Sequence, residues 1–209
     1  MCAKKRIALY GGTFDPVHAG HLEIARRISE LFEIEKVIFV PAQMAPHKVG
    51  RPVTEPIHRY AMLALATQDD PRLVVSTYEL DAPDRRYTVD TIEHFQHELN
   101  DSTELFFIMG ADSWSEITTW REWERLLTMT NHIVVSRPGF ELNKDHVGPH
   151  GERVFFTDVV MNDVSATNIR RFASEGRTDE LVNLLPGPVL EYIKKYGIYR
   201  EFNEARLNS

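Results

Sequence analysis

The chain has 209 residues, of which 43% are hydrophobic and 26% charged, and its formal net charge is −7. Such a length and mix allow a full buried core in one α/β unit, while the acidic balance argues against a nucleic-acid binder, whose affinity rests on basic contacts to phosphate. Cys2 is the sole cysteine, which excludes an intramolecular disulfide and an all-cysteine metal site.

In chain order, the basic start is followed by only four apolar residues, Ile7 to Tyr10. A secretory signal needs roughly seven to fifteen, and no run approaches the ~18 of a membrane span. A cytoplasmic protein with no membrane partner is expected. Ile7–Tyr10 reads as a strand ending at Gly11-Gly12. From Leu22, the positions Leu22, Ala25, Ile28 and Phe32 follow helical spacing, and Val37–Val40 is a second buried strand stopped by Pro41. Strand, glycine turn, helix and strand make one βαβ unit. Residues 41–52 are a proline-rich loop. Thr54 is placed to cap a helix running to Gln68, with Pro56 tolerated in its first turn.

Leu73–Val75 predicts a third strand, Thr88 the N-cap of a helix with Val89, Ile92, Phe95 and Leu99 on one face, and Leu105–Met109 a fourth strand ending at Gly110. Trp120–Leu127 reads as helix, His132–Val135 and Val154–Phe156 as strands, and residues 138–152 as an exposed loop. The chain then turns helical. Ser165 caps a helix ending near Gly176, Thr178 opens another that Pro186 stops, and Pro188 starts a last one ending at Gly197. The expected fold is α/β, a Rossmann-like doubly wound parallel sheet with a small helical C-terminal region. One domain is expected over residues 1–209, with 165–209 as its helical subdomain.

The segment from Gly11 to His21, Gly-Gly-Thr-Phe-Asp-Pro-Val-His-Ala-Gly-His, sits between the first strand and first helix, where open parallel sheets bind ligands. Paired glycines let backbone approach a phosphate, and a helix start offers free N–H groups to an anion. His18 and His21 face the same way if both lie on the first helical turn. Taken singly these signals stay open: a glycine pair can be only a turn, and a histidine pair can be a surface or capping accident. A zinc pair would need a third ligand, which is missing nearby, since His47 belongs to a separate loop.

The complete string resembles the signature of the His-x-Gly-His nucleotidyltransferases, and this version is similar to that of bacterial nicotinate-nucleotide adenylyltransferases. The resemblance extends along nearly the whole chain, through Pro46-His47-Lys48, Arg86-Tyr-Thr-Val-Asp-Thr91, Gly110-Ala-Asp112 with Trp120, Ser136-Arg-Pro-Gly139 and Val164-Ser-Ala-Thr-Asn-Ile-Arg170. The last departs from the family pattern at Val164 and Ala166 but keeps Ser165, Thr167 and Arg170.

The resemblance implies transfer of the adenylyl group of ATP onto the phosphate of nicotinate mononucleotide, with pyrophosphate released. That phosphate oxygen is already an anion, so the work is to hold two anions together and stabilise growing charge. His18, His21, Lys48 and Arg170 are expected to carry it. Gly11, Gly12, Thr13, Phe14, Gly110, Asp112, Ser165 and Thr167 are expected to bind ATP, the Asp112 carboxylate accepting from ribose hydroxyls. Thr88 is expected to meet the nicotinate carboxylate at a helix start, and Trp120 to stack on the nicotinate ring. A divalent ion, Mg²⁺, is expected on the ATP phosphates and water, since no carboxylate cluster resembles a protein cage. Phosphopantetheine adenylyltransferases share the first motif but are expected to lack the Tyr-Thr-x-Asp-Thr segment. A nucleotide-binding regulator without activity has no need of His18, His21, Lys48 and Arg170 together.

Overall fold

Strand character follows the β-branched and aromatic runs closely. The computed structural model describes residues 4–43, 53–82, 86–100, 102–136, 145–158 and 164–200. Lys48 and most of its proline-rich loop lie outside these, as do residues 138–144 of the expected exposed loop. Among the described residues, β1 (Lys5–Gly12), β2 (Lys36–Pro41), β3 (Leu73–Val75), β4 (Thr103–Gly110), β5 (Asn131–Val135) and β6 (Val154–Thr157) form one parallel sheet in the order β3-β2-β1-β4-β5-β6. β1 is central: it pairs with β2 from Ile7↔Lys36 to Gly12↔Pro41 and with β4 from Lys5↔Thr103 to Tyr10↔Ile108.

The helices are α1 (Ala19–Leu31), α2 (Pro56–Thr67), α3 (Thr88–Glu98), α4 (Ala111–Ser115), α5 (Trp123–Met129), α6 (Ala166–Ser174) and α7 (Gly187–Tyr196). Side-chain alternation along the strands divides the core in two. Ala8, Tyr10, Phe39, Phe106 and Ile108 meet α1, α2, α6 and α7 on one face. Leu9, Ile38, Phe107 and Met109 meet α3, α4 and α5 on the other. Strands buried on both faces need no polar side, which is why β2 and β4 read as continuous apolar runs. Each large apolar side chain so buried is worth about 1.5–3 kcal/mol. No helix among the described residues is long and apolar enough to cross a membrane.

Helix starts differ from expectation by one or more residues. α2 is preceded by Glu55 at the N-cap, not Thr54. The Thr54 backbone is engaged elsewhere, its N–H donating to Asp15 Oδ2 at 3.2 Å and its carbonyl accepting from Arg59. Tyr87, not Thr88, is the N-cap of α3, because the Asp90 carboxylate accepts from the Tyr87 N–H at 2.9 Å. Trp120 lies before the helix it was expected to open: Glu122 takes a left-handed φ of 51° and α5 starts at Trp123. Residues 145–153 form 3₁₀ turns kinked at Gly148, and Thr178–Leu181 is a single 3₁₀ turn. Ser165 does stand at the N-cap of α6, though its side chain makes no capping bond.

His132 on β5 is fully buried against the edge of Phe107, with Nε2 at 3.0 Å from the Leu126 carbonyl. Burial pushes its imidazole down from the usual 6.5 to about 4. The unfolded chain therefore takes up a proton between those values while the folded chain does not, so stability is lost as pH falls from 6.5 towards 4. Denaturant unfolding across that window is expected to show a loss of roughly 3 kcal/mol from this residue alone. His132→Gln should flatten that part of the profile.

Candidate active site

The order of the strands reverses between β1 and β4, and the crevice at their carboxyl ends is where a parallel sheet leaves room for a ligand. A pocket of about 430 Å³ opens there, walled by Tyr10, His18, His21, Gly110, Asp112 and Ser165 among others. A larger hollow of about 790 Å³ lies at the opposite end of the sheet, where Thr103 and Asn131 begin their strands. It holds none of the motif residues, and the amino ends of parallel strands are not where such sheets bind ligands, so the smaller pocket is the candidate.

His18 is the N-cap of α1, with extended backbone, and His21 is the third residue of that helix. Their rings stack 3.7 Å apart at 28°. The His18 backbone N–H donates to His21 Nδ1 at 3.3 Å, which assigns the remaining ring proton of His21 to Nε2 and makes that atom a donor. Gly20 stands between them because its Cβ would come within 3.2 Å of the His18 ring.

The glycine pair of the first motif serves a packing need. A Cβ on Gly11 would stand 2.9 Å from the Phe107 ring, and one on Gly12 would stand 2.8 Å from the Phe14 ring. Phe14 is 3% exposed and meets Tyr10, Phe39 and His21 edge-on, so this turn is built around an aromatic cluster. The Thr13 and Phe14 side chains do not line the pocket.

Arg170 on α6 donates from Nη1 to the Asp15 carbonyl at 2.7 Å and from Nη2 to Thr167 Oγ1 at 3.2 Å. It thereby ties the C-terminal helices to the first turn, beside the pocket rather than on its wall. Thr88 and Trp120 do not line this pocket either. The Arg121 guanidinium sits 4.9 Å over the Tyr87 ring, joining the start of α3 to the turn that carries Trp120. Trp120 lies edge-on to Phe107, and its buried indole N–H has no protein acceptor among the described residues. Trp114 is fully buried against Phe156 and belongs to the core.

Sequence reasoning missed three residues, two of which, Arg59 and Asp15, organise the turn. Arg59 of α2 is 0% exposed and donates to the carbonyls of Thr54, Thr13 and Gln43 at 2.9, 2.9 and 3.2 Å. Burial lowers its pKa, opposed by the negative charges of Asp15 and Glu79. Asp15 is 4% exposed, and its Oδ1 accepts from the Tyr199 hydroxyl at 2.6 Å. Glu79, pushed up to about 7 chiefly by burial, accepts from Thr91 Oγ1 at 2.7 Å. One signal was present: Arg59 precedes Met62 and Leu63 by three and four residues, so a charge stands on the buried face of α2.

The cytidylyltransferase-like family model matches residues 9–172. A probable nicotinate-nucleotide adenylyltransferase of Thermoanaerobacter sp. is 41% identical over 205 residues, covering 95% of this chain and 96% of the relative. Another from Desulfitobacterium hafniense is 44% identical over 203 residues, covering 94% and 96%. Among solved structures, Plasmodium falciparum nicotinic acid mononucleotide adenylyltransferase complexed with NaAD superposes with a TM-score of 0.77 at 21% identity, covering 94% of this chain and 98% of that one. The last likeness concerns the fold.

Gly12→Ala is expected to destabilise the protein by about 1–3 kcal/mol, since three atoms of the Phe14 ring lie within 3.1 Å of the new methyl. Gly110→Ala meets nothing within 4 Å and should melt close to the unaltered chain. Thermal unfolding of the two variants side by side checks both.

Proposed function

The chain belongs to the cytidylyltransferase-like family and to the nicotinate-nucleotide adenylyltransferases, and from that premise we propose that its chemistry takes place over the His18–His21 pair at the β1–β4 crevice. It is a nucleotidyltransferase. It transfers the adenylyl group of ATP to nicotinate mononucleotide, giving nicotinate adenine dinucleotide and pyrophosphate, in NAD biosynthesis. The observation that carries the placement is the stacked pair of imidazoles at the start of α1, lining one pocket with Asp112 and Ser165.

A phosphate oxygen of nicotinate mononucleotide attacks the α-phosphorus of ATP, and the bond to the β-phosphate oxygen breaks. Charge grows on the phosphates in between, and preorganised donors are the means of stabilising it. His21 donates from Nε2 and His18 lies stacked beside it. N–H groups of the first turn and of the α6 start, with the hydroxyls of Ser165 and Thr167, complete the cradle. Arg170 keeps guanidinium hydrogens beyond the two used on Asp15 and Thr167, and these reach towards the leaving pyrophosphate. Lys48, outside the described residues, adds a further positive charge by the resemblance alone.

Gly110 and Asp112, at the start of α4, take the adenosine ribose, the carboxylate accepting from its hydroxyls. Thr88 in the first turn of α3 meets the nicotinate carboxylate, favoured there by the helix dipole. Trp120 covers the pyridine ring. ATP enters as its divalent-metal complex, with Mg²⁺ as the proposed ion. The ion is carried by the ATP phosphates and water.

Pyrophosphate release with ATP and Mg²⁺ is expected to be strong with nicotinate mononucleotide, weaker with its amide and absent with phosphopantetheine. Silence with the acid would refute the substrate. His21→Ala is expected to lower kcat by about 10²–10³-fold without lowering the melting temperature. Arg170→Lys keeps the charge but loses the planar fork, so KM for ATP should rise; unchanged ATP kinetics would remove Arg170 from the site.

A further inference from the structure

Phe14 is a bulky residue with a φ of 50°, in the left-handed region that such side chains avoid. A conformation of this kind persists only where its surroundings over-determine it. Here the surroundings act on both neighbouring residues. On one side the buried Arg59 guanidinium donates to the Thr13 carbonyl at 2.9 Å, and anchors itself on the Gln43 and Thr54 carbonyls. On the other side the Asp15 carboxylate is held by the Tyr199 hydroxyl at 2.6 Å and the Thr54 N–H at 3.2 Å.

The peptide unit is planar, so fixing the Thr13 carbonyl also fixes the direction of the Phe14 N–H, which points from the opposite side of the same plane. The Phe14 ring in turn meets the His21 ring edge-on with centroids 5.0 Å apart. A shift in Phe14 therefore reaches His21 directly. Neither Arg59 nor Tyr199 walls the pocket, and they come from α2 and from the segment after α7.

We propose that Arg59 and Tyr199 are positioning residues for adenylyl transfer, acting as a two-sided clamp that holds Phe14 in its left-handed conformation and so sets the Phe14 N–H and the His21 ring for the reacting phosphates. The inference rests on the reading of the pocket given above. Bound nucleotides keep most of their contacts when the clamp is loosened, but the donors no longer match the position of growing charge. Misplacement by about 1 Å is enough to cost on the order of 100-fold in rate.

The test uses Arg59→Lys, which keeps the charge but not the fork, and Tyr199→Phe, which removes one oxygen. Each is assayed for pyrophosphate release well below its melting temperature, with rates expressed per folded protein. The clamp predicts kcat lowered about 100-fold in Arg59→Lys and about tenfold in Tyr199→Phe, with KM for both nucleotides changed less than threefold. A merely structural role lowers the melting temperature and leaves kcat per folded protein unaltered, and that result in both variants overturns the proposal. Should Arg59→Lys fail to fold, Tyr199→Phe decides alone. If the unaltered chain releases no pyrophosphate, the reading of the reaction falls. The clamp is then judged by the Phe14 amide resonance in isotopically labelled protein, which moves in the variants if the clamp holds and stays in place if it does not.

Discussion

Everything in this protein follows from having to place six parallel strands around a central β1. Each parallel neighbour demands a crossover, and each crossover must return over one face of the sheet. β1 to β2 and β2 to β3 run outward in one direction; β4 to β6 run outward in the other. Helices consequently lie on opposite faces for the two halves, and a crevice opens at the carboxyl ends of β1 and β4 where the halves part. The crevice is a topological remainder. The first motif, lying at the end of β1, and Gly110, at the end of β4, occupy its two sides.

An acidic protein that binds two polyanions has to concentrate its donors locally, and among the described residues the candidate pocket is lined by histidines and no lysine or arginine. His21 offers Nε2–H because its other nitrogen is engaged by the His18 backbone. The helix start of α6 offers N–H groups beside it. The two arginines near the turn also act as braces: Arg59 donates to the carbonyls of Thr13, Gln43 and Thr54, and Arg170 holds Asp15 and Thr167. Fixed donors cost little reorganisation as charge moves, whereas an unattached cation would have to find its place during the step.

The strands were legible in the sequence because burial on both faces leaves runs such as Leu105–Met109 with no polar interruption. Helix starts were less so. Thr54 has the chemistry of a cap, but Asp15 and Arg59, distant in sequence, claim its backbone; Asp90 gives the cap of α3 to Tyr87. The motifs along the chain pointed to His18, His21, Asp112 and Ser165, which line one pocket, and equally to Arg170, Thr88 and Trp120, which do not line it. The glycine pair was read as room for a phosphate; the closeness of the Phe14 and Phe107 rings, a second reason for glycine there, has no trace in the sequence. Arg59 left almost no trace, because its partners are carbonyls of three separate segments and carbonyls have no sequence signature.

The bond between Tyr199 and Asp15 joins residues 184 positions apart. A chain emerging from the ribosome N-terminus first has made its first motif, and can have closed most of its sheet, long before residue 199 appears. Arg59 can dock early, Arg170 later, and Tyr199 last. The turn that carries the histidines thus acquires this restraint only after residue 199 has been made, so a chain still short of it holds the histidine pair without the full support of the turn beneath it.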